Sequence, residues 1–282
     1  MRYGIVLLAL IGLWPGRALA QQRPLVTEDP ETVGGGRLLI EAGIDYDHEA
    51  FYPISGLVGN RVSMPTVGIS IGLSSIAELQ VDGGFYQRLT VTERRPAPFA
   101  GIVELDGNQT HDVEDFIIAT KLRLFTEGTR RPSIGLRLAT KLPNASNEPG
   151  LGTDMTDFYA SLLMAKTVQS VRIVANGGVA LLGDPTATGN PEQNDLLTFG
   201  GSVARAMTTS AELVGEINGR LNVRNSTPDP GSENRAEMRL GGRYTRGPVR
   251  VDVAIVLGVT SRDPVFGATA GFTWVLNAFR VP

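Results

Sequence analysis

Along most of this chain apolar and polar residues take turns. In SIGLRLATKLP, residues 133–143, Ile134, Leu136, Leu138 and Leu142 fall on every second position with Thr140 among them. Gly135, Arg137, Ala139 and Lys141 fill the gaps. GRLLIEAGIDYD sets Leu38, Ile40, Ala42, Ile44 and Tyr46 against Glu41, Gly43, Asp45 and Asp47, with Leu39 breaking the order. AELQVDGGFYQRL sets Leu79, Val81 and Phe85 against Glu78, Gln80, Asp82, Tyr86 and Arg88. A two-residue period belongs to strands whose two faces meet different surroundings. Twelve such strands are predicted, near 37–47, 61–73, 77–89, 114–125, 133–143, 155–166, 171–182, 195–206, 211–221, 235–244, 249–259 and 265–276.

Most of these runs have ten to thirteen residues. A globular strand usually has about five or six, and a tilted membrane-crossing strand needs about nine to eleven. The connections alternate in length. Long ones are expected near 48–60, 90–113, 144–154, 183–194, 222–234 and 260–264, short ones near 74–76, 126–132, 167–170, 207–210 and 245–248. Both termini then lie on the short-turn side. Even strand number, tight turns at one end and larger loops at the other describe a barrel that crosses an outer membrane. Alternation alone does not say which face points inward. A soluble sandwich keeps apolar residues inside, and a membrane barrel keeps them outside. Arg137 or Lys141 at mid-depth in hydrocarbon would each cost about 2–4 kcal/mol, so the charged face is expected to line a hydrated lumen.

The first twenty residues support export. Arg2 precedes a mostly apolar stretch over 4–14, and Ala18-Leu19-Ala20 reads as a cleavage site, so residues 1–20 are expected to be a signal peptide. After residue 20 no apolar run is long enough for a membrane helix, so any crossing must be made by strands. Residues 21–36 read as an extended, solvated lead-in, either a plug in the lumen or a tail in the periplasm. Residues 37–282 read as the barrel.

Composition narrows the chemistry. The chain has 282 residues, no cysteine, only His48 and His111 as histidines, and a formal charge of -3. Thiolate metal sites and most zinc or acid–base constellations are excluded, and nothing suggests nucleic acid. No cofactor or metal is expected. The lumen-lining candidates are Glu41, Asp45, Glu78, Asp82, Arg88, Lys121, Arg123, Arg137, Lys141, Arg172, Glu212, Glu216, Arg239, Arg243 and Arg250. Asp47, Asp157, Arg220, Glu237 and Asp252 share that parity. Such a set can orient a passing solute or fill and stiffen a narrow barrel as a paired network. His48 and Ser63, placed together on the lipid side of one hairpin, would be the only candidates for a lipid-hydrolysing pair. The acidic HDVED, 111–115, is a weak candidate for a divalent cation.

Two stretches resemble a known family. RPLVTEDPETVGGGRLLIEAGIDYD, residues 23–47, is similar to the start of the outer-membrane transporters of the phenol meta-cleavage pathway, and TKLPNASNEPGLGTDMTDFYASLLMAK, residues 140–166, resembles their KLP, GLGT and TDF segments. The short GDP at 183–185 is a third match, and the last third shares only its alternation. The resemblance implies a twelve-strand barrel passing small hydrophobic or aromatic compounds. The expectation is therefore an all-β protein: a closed antiparallel transmembrane β-barrel in a Gram-negative outer membrane. It would act as a porin-like channel and not as an enzyme, with membrane lipid, a small solute and the barrel-insertion machinery as partners. The alternatives are a surface barrel using loop 90–113 as a contact element, and an outer-membrane lipid hydrolase.

Overall fold

The computed structural model describes residues 23–186, 193–224 and 228–280, so the expected signal peptide lies outside the described residues. It contains fourteen strand segments: β1 (Arg37–Tyr52), β2 (Leu57–Gly72), β3 (Ala77–Gly84), β4 (Gln87–Arg94), β5 (Gln109–Asp112), β6 (Ile117–Phe125) and β7 (Ser133–Lys141), then β8 (Asp157–Val168), β9 (Val171–Gly183), β10 (Gln193–Ala206), β11 (Ala211–Asn222), β12 (Arg235–Arg246), β13 (Val249–Gly258) and β14 (Phe266–Asn277). β1 pairs with both β2 and β14, which closes the sheet on itself, and every pairing is antiparallel. The ring runs β1, β2, β3, β6 and then β7 to β14, giving twelve strand positions. β4 and β5 continue two of those positions outward, where β4 pairs with the outer half of β2 and with β5.

Burial decides the face that alternation left open. Leu138, Leu162, Val203, Leu213, Leu240, Val253 and Ile255 are exposed around the outside, Ile255 at 52%. Glu78, Lys121, Glu216 and Asp252 are buried inside. A continuous apolar surface of this extent has no place in water. Against acyl chains it needs no cover, and the closed ladder leaves no strand edge to satisfy. Phe85, Phe158, Phe266, Phe272 and Trp274 stand on the outer face, many of them near strand ends where aromatic girdles sit.

Most strands stand close to their expected limits, but the expected 77–89 strand is split into β3 and β4, and β4 and β5 run into the expected 90–113 loop. The expected long loop at 48–60 is a short turn between Tyr52 and Leu57, because both strands run on past the ring. Their extensions carry Tyr52 and Leu57 into a small apolar cluster with Leu89 and Leu151 beneath the outer loops. At the base of these extensions two neighbouring strands slip together. β2 bulges at Met64–Pro65 opposite Ile44, and β3 breaks from β4 at Phe85–Tyr86. The two irregularities bond to each other: Met64 N donates to Tyr86 O at 2.8 Å and Phe85 N to Pro65 O at 3.2 Å. A bulge adds one residue and so reverses which face the following side chains take.

Replacing Leu240, mid-strand on β12 and 51% exposed, by Arg is expected to destabilise the folded protein in lipid vesicles by about 2–4 kcal/mol. Denaturant unfolding in vesicles checks this. An unchanged midpoint would mean that this face does not meet hydrocarbon.

Candidate functional site

The lumen is occupied across its inner half by residues 23–36, which enter beside Gly36 at the turn end. Of the two placements expected for the lead-in, residues 23–36 take the plug in the lumen, and only their solvation is corrected. Leu25, Thr27, Glu28, Thr32 and Val33 are buried, and so are Pro24 and Pro30. A segment rich in Pro and Gly cannot add to the ladder, so its amides and charges must find partners on the wall. They do so around nearly the whole circumference. Val33 N donates to Glu78 Oε2 at 2.6 Å on β3, and Glu28 N to Asn176 Oδ1 at 2.7 Å on β9. Val26 N and Thr27 N both donate to the Glu216 carboxylate on β11, each at 2.8 Å. Arg23 N donates to Glu41 on β1, and Arg243 Nε on β12 donates to Arg23 O at 2.8 Å.

Charge pairing follows the same path. Lys121 and Arg137 are cross-strand neighbours on β6 and β7, an unfavourable placement for two cations. Glu28 lies between them, with its carboxylate 3.2 Å from Lys121 Nζ and 3.2 Å from Arg137 Nε. Lys121, 1% exposed, also holds Glu78 at 2.9 Å. Arg172 grips Asp29 with two parallel bonds, Nε to Oδ2 at 2.8 Å and Nη2 to Oδ1 at 2.7 Å, the geometry that makes Arg–carboxylate pairs strong. Arg123 pairs with Glu31. Arg23 reaches the other side of the ring: its Nη2 donates to Thr269 Oγ1 at 2.7 Å and its guanidinium lies 3.5 Å from Asp252. Gly43 and Gly271 face each other across the β1–β14 ladder beneath that guanidinium, and a Cβ on either would come within 2.5 Å of it. The two glycines make the space that Arg23 fills.

In the turn after β6, Glu127 continues the chain of charges from Arg172. Partial burial raises its carboxyl pKa, but hydrogen bonds from Thr167 N and Lys166, with the Arg172 charge, outweigh this and hold it below the ordinary carboxylate value.

Of the sequence candidates, Glu41, Asp45, Glu78, Asp82, Lys121, Arg123, Arg137, Arg172, Glu216, Arg239 and Arg243 all bond or pair with this segment or with residues that do. Glu212 lies 3.9 Å from Arg243 and 3.8 Å from Arg250, and Lys141 pairs with Asp115 and Asp157 higher in the barrel. Arg88 is a correction. It is exposed on β4 between the buried Gln87 and Leu89, because the break at Phe85–Tyr86 reverses its face. The bulge at Met64–Pro65 does the same to Ser63, which is 0% exposed and opposite Asp45. His48 bonds instead to Asn60, Nδ1 to Oδ1 at 2.7 Å, so the two residues of the hydrolase reading are not brought together. The HDVED carboxylates are also engaged. Asp112 accepts from Ser146 N, Asp115 from Asn144 N and Ala145 N, and Glu114 pairs with Arg61. Among the described residues no group of three or more His, Asp or Glu could hold a metal ion. The sequence reading missed Glu28, Asp29 and Glu31 as lumen residues, and Arg23 with them. Their signal was an acidic run in front of a barrel whose bases gather on β6, β7 and β9.

A closed twelve-strand ring with an apolar outside and ionic inside has the fold of the bacterial outer-membrane β-barrels. Solved structures of similar shape include an outer membrane channel from Pseudomonas putida F1, with a TM-score of 0.64 at 10% identity over 88% of this chain and 98% of that one. The NanC porin aligns with a TM-score of 0.50 at 9% identity over 86% of this chain and 100% of that one. At such identities the likeness is one of fold. No family model matches the sequence, and no curated protein is similar to it in sequence.

Lys121→Met leaves Glu28 and Glu78 buried beside each other without their shared cation. The expected loss is about 3–5 kcal/mol of folding stability, the range for breaking one side of a buried pair. The temperature at which the folded band disappears on unboiled gels, with the denaturant midpoint, measures it. Glu237→Gln on β12, across the ring, where Glu237 meets only Arg239 among the described ion pairs, is expected to change stability much less.

Proposed function

We propose that the protein is a passive outer-membrane channel that admits small solutes, aromatic and hydrophobic ones among them, and that residues 23–36 control passage. The observation that carries this reading is the unequal filling of the lumen. The inner half holds the N-terminal segment, while the outer half keeps adjoining cavities of about 320 and 460 Å³ between that segment and the loops. A barrel built only to be rigid or adhesive has no need of such a chamber behind its mouth. The segment is held by hydrogen bonds and ion pairs and adds no strand to the barrel, so it can leave the wall without opening the ladder. The fold shared with a channel and a porin agrees with this reading, and the apolar belt agrees with an outer-membrane location reached through a signal peptide and the barrel-insertion machinery. The aromatic class rests on the sequence resemblance and on the Val26, Ile117 and Tyr159 side of the deeper cavity.

Planar-bilayer recordings test the proposal. A chain lacking residues 23–32, shown to be folded by its unboiled mobility, is expected to conduct several-fold more than the full mature chain, and its liposomes to swell faster in a small neutral sugar. A folded deletion variant that neither conducts nor swells would remove the channel reading.

A further inference from the structure

Two adjoining hollows lie in the outer half, the deeper one against residues 26–28, and both are bordered by Arg220, Arg235 and Glu237. Most charges along them are already matched. Arg61 holds Asp47 and Glu114, Lys141 holds Asp115 and Asp157, Arg137 holds Glu28 and Asp82, and Arg239 holds Glu216 and Glu237. Arg220 and Arg235 differ. They are direct partners in the β11–β12 ladder, and among the described residues neither lies within ion-pair distance of a carboxylate. Arg220 donates only to carbonyls, Nη2 to Gly231 O at 2.6 Å and Nε to Glu233 O at 3.3 Å. Arg235 Nη2 donates to Phe51 O at 2.9 Å, and its Nε is buried with no acceptor.

The carboxylates that might have served them are engaged elsewhere. Asp263 accepts from Ala236 N, Thr260 N and Thr260 Oγ1. Glu233 accepts from Gly231 N, and Glu237 faces Arg239. Two adjacent guanidinium groups in a partly desolvated chamber repel each other. An anion placed between them relieves that repulsion and meets donors shaped for a planar carboxylate. The deeper hollow also has an apolar side, supplied by Val26, Ile117 and the ring of Tyr159, beside its paired charges Glu28, Arg137, Glu237 and Arg239. A cavity of about 460 Å³ lies within the range of small-molecule pockets.

We propose that this chamber binds a small organic anion, its carboxylate on Arg220 and Arg235 and its apolar body against Val26 and Ile117. The proposal rests on the channel reading only in taking the chamber to be reachable from outside. It narrows the solute class to carboxylates that carry a compact apolar group.

Isothermal titration calorimetry on the detergent-solubilised mature protein tests it with two probes that share a ring. Benzoate carries the charge, and benzyl alcohol does not. Benzoate is expected to bind at least tenfold more tightly. The double variant Arg220→Gln/Arg235→Gln, confirmed as folded by unboiled mobility, is expected to lose at least tenfold in benzoate affinity and to keep its affinity for benzyl alcohol. Arg220→Lys keeps the charge but not the fork and should fall between. Equal binding of the two probes by the wild-type protein would overturn the proposal whether or not the variants fold. Undiminished benzoate binding by the folded double variant would also overturn it. Conductance separates this from the channel reading: charge-selective binding in a silent barrel keeps the site and removes the channel, and conduction without benzoate preference does the reverse.

Discussion

A charge enclosed by the barrel wall must meet its counter-charge inside that wall. Lys121 and Arg137 stand side by side; the wall gives them Glu78 and Asp82, and Glu28 of the segment reaches both. Glu28, Asp29 and Glu31 belong to a segment that could not be buried alone, since removing carboxylates from water without partners costs more than any packing here returns. Each half of the arrangement removes the main objection to the other. The inner lumen is therefore filled not by side chains growing in from the strands but by a stretch of chain bent across them, and the position of that stretch is set by where the bases lie.

This division gives the barrel two unlike halves. Below, backbone amides and ion pairs occupy the space. Above, the strands of the first hairpin and of β4 and β5 stand higher than the rest, and a small apolar cluster of Leu57, Leu89 and Leu151 supports the loops around a chamber. The same twelve-strand circumference thus serves as a closed floor and as a cup, with no change of topology between them.

Much of this was legible in the sequence. The period of two located every strand of the ring, and run length with unequal connections named the barrel. Side-chain parity was readable only while the ladder stayed regular. One extra residue at Met64–Pro65 and the break at Phe85–Tyr86 reversed the faces beyond them, and no residue pattern marks such a slip before pairing is known. Arg88 and Ser63 were misplaced for that reason alone. Residues 23–36 have no period to read, so the sequence left plug and periplasmic tail as equal placements. Their acidity, set against Lys121, Arg123, Arg137 and Arg172, was the available sign. Arg235 could be recognised only once register placed it opposite Arg220, because a strand-edge arginine before a loop looks like any solvated one.

The bent segment carries one guanidinium and three carboxylates between residues 23 and 36, a net of two negative charges. It is tied to the wall by non-covalent contacts and joins β1 at the turn end, so an electric field along the pore axis acts on its charges together. Each elementary charge carried across a full membrane is worth about 2.3 kcal/mol per 100 mV. A few hundred millivolts of one polarity therefore press the segment deeper into the barrel, and the opposite polarity draws it towards the turns. An inserted molecule accordingly has an electrical handedness, and the sign of the voltage that unseats the segment reports which chamber its loops face.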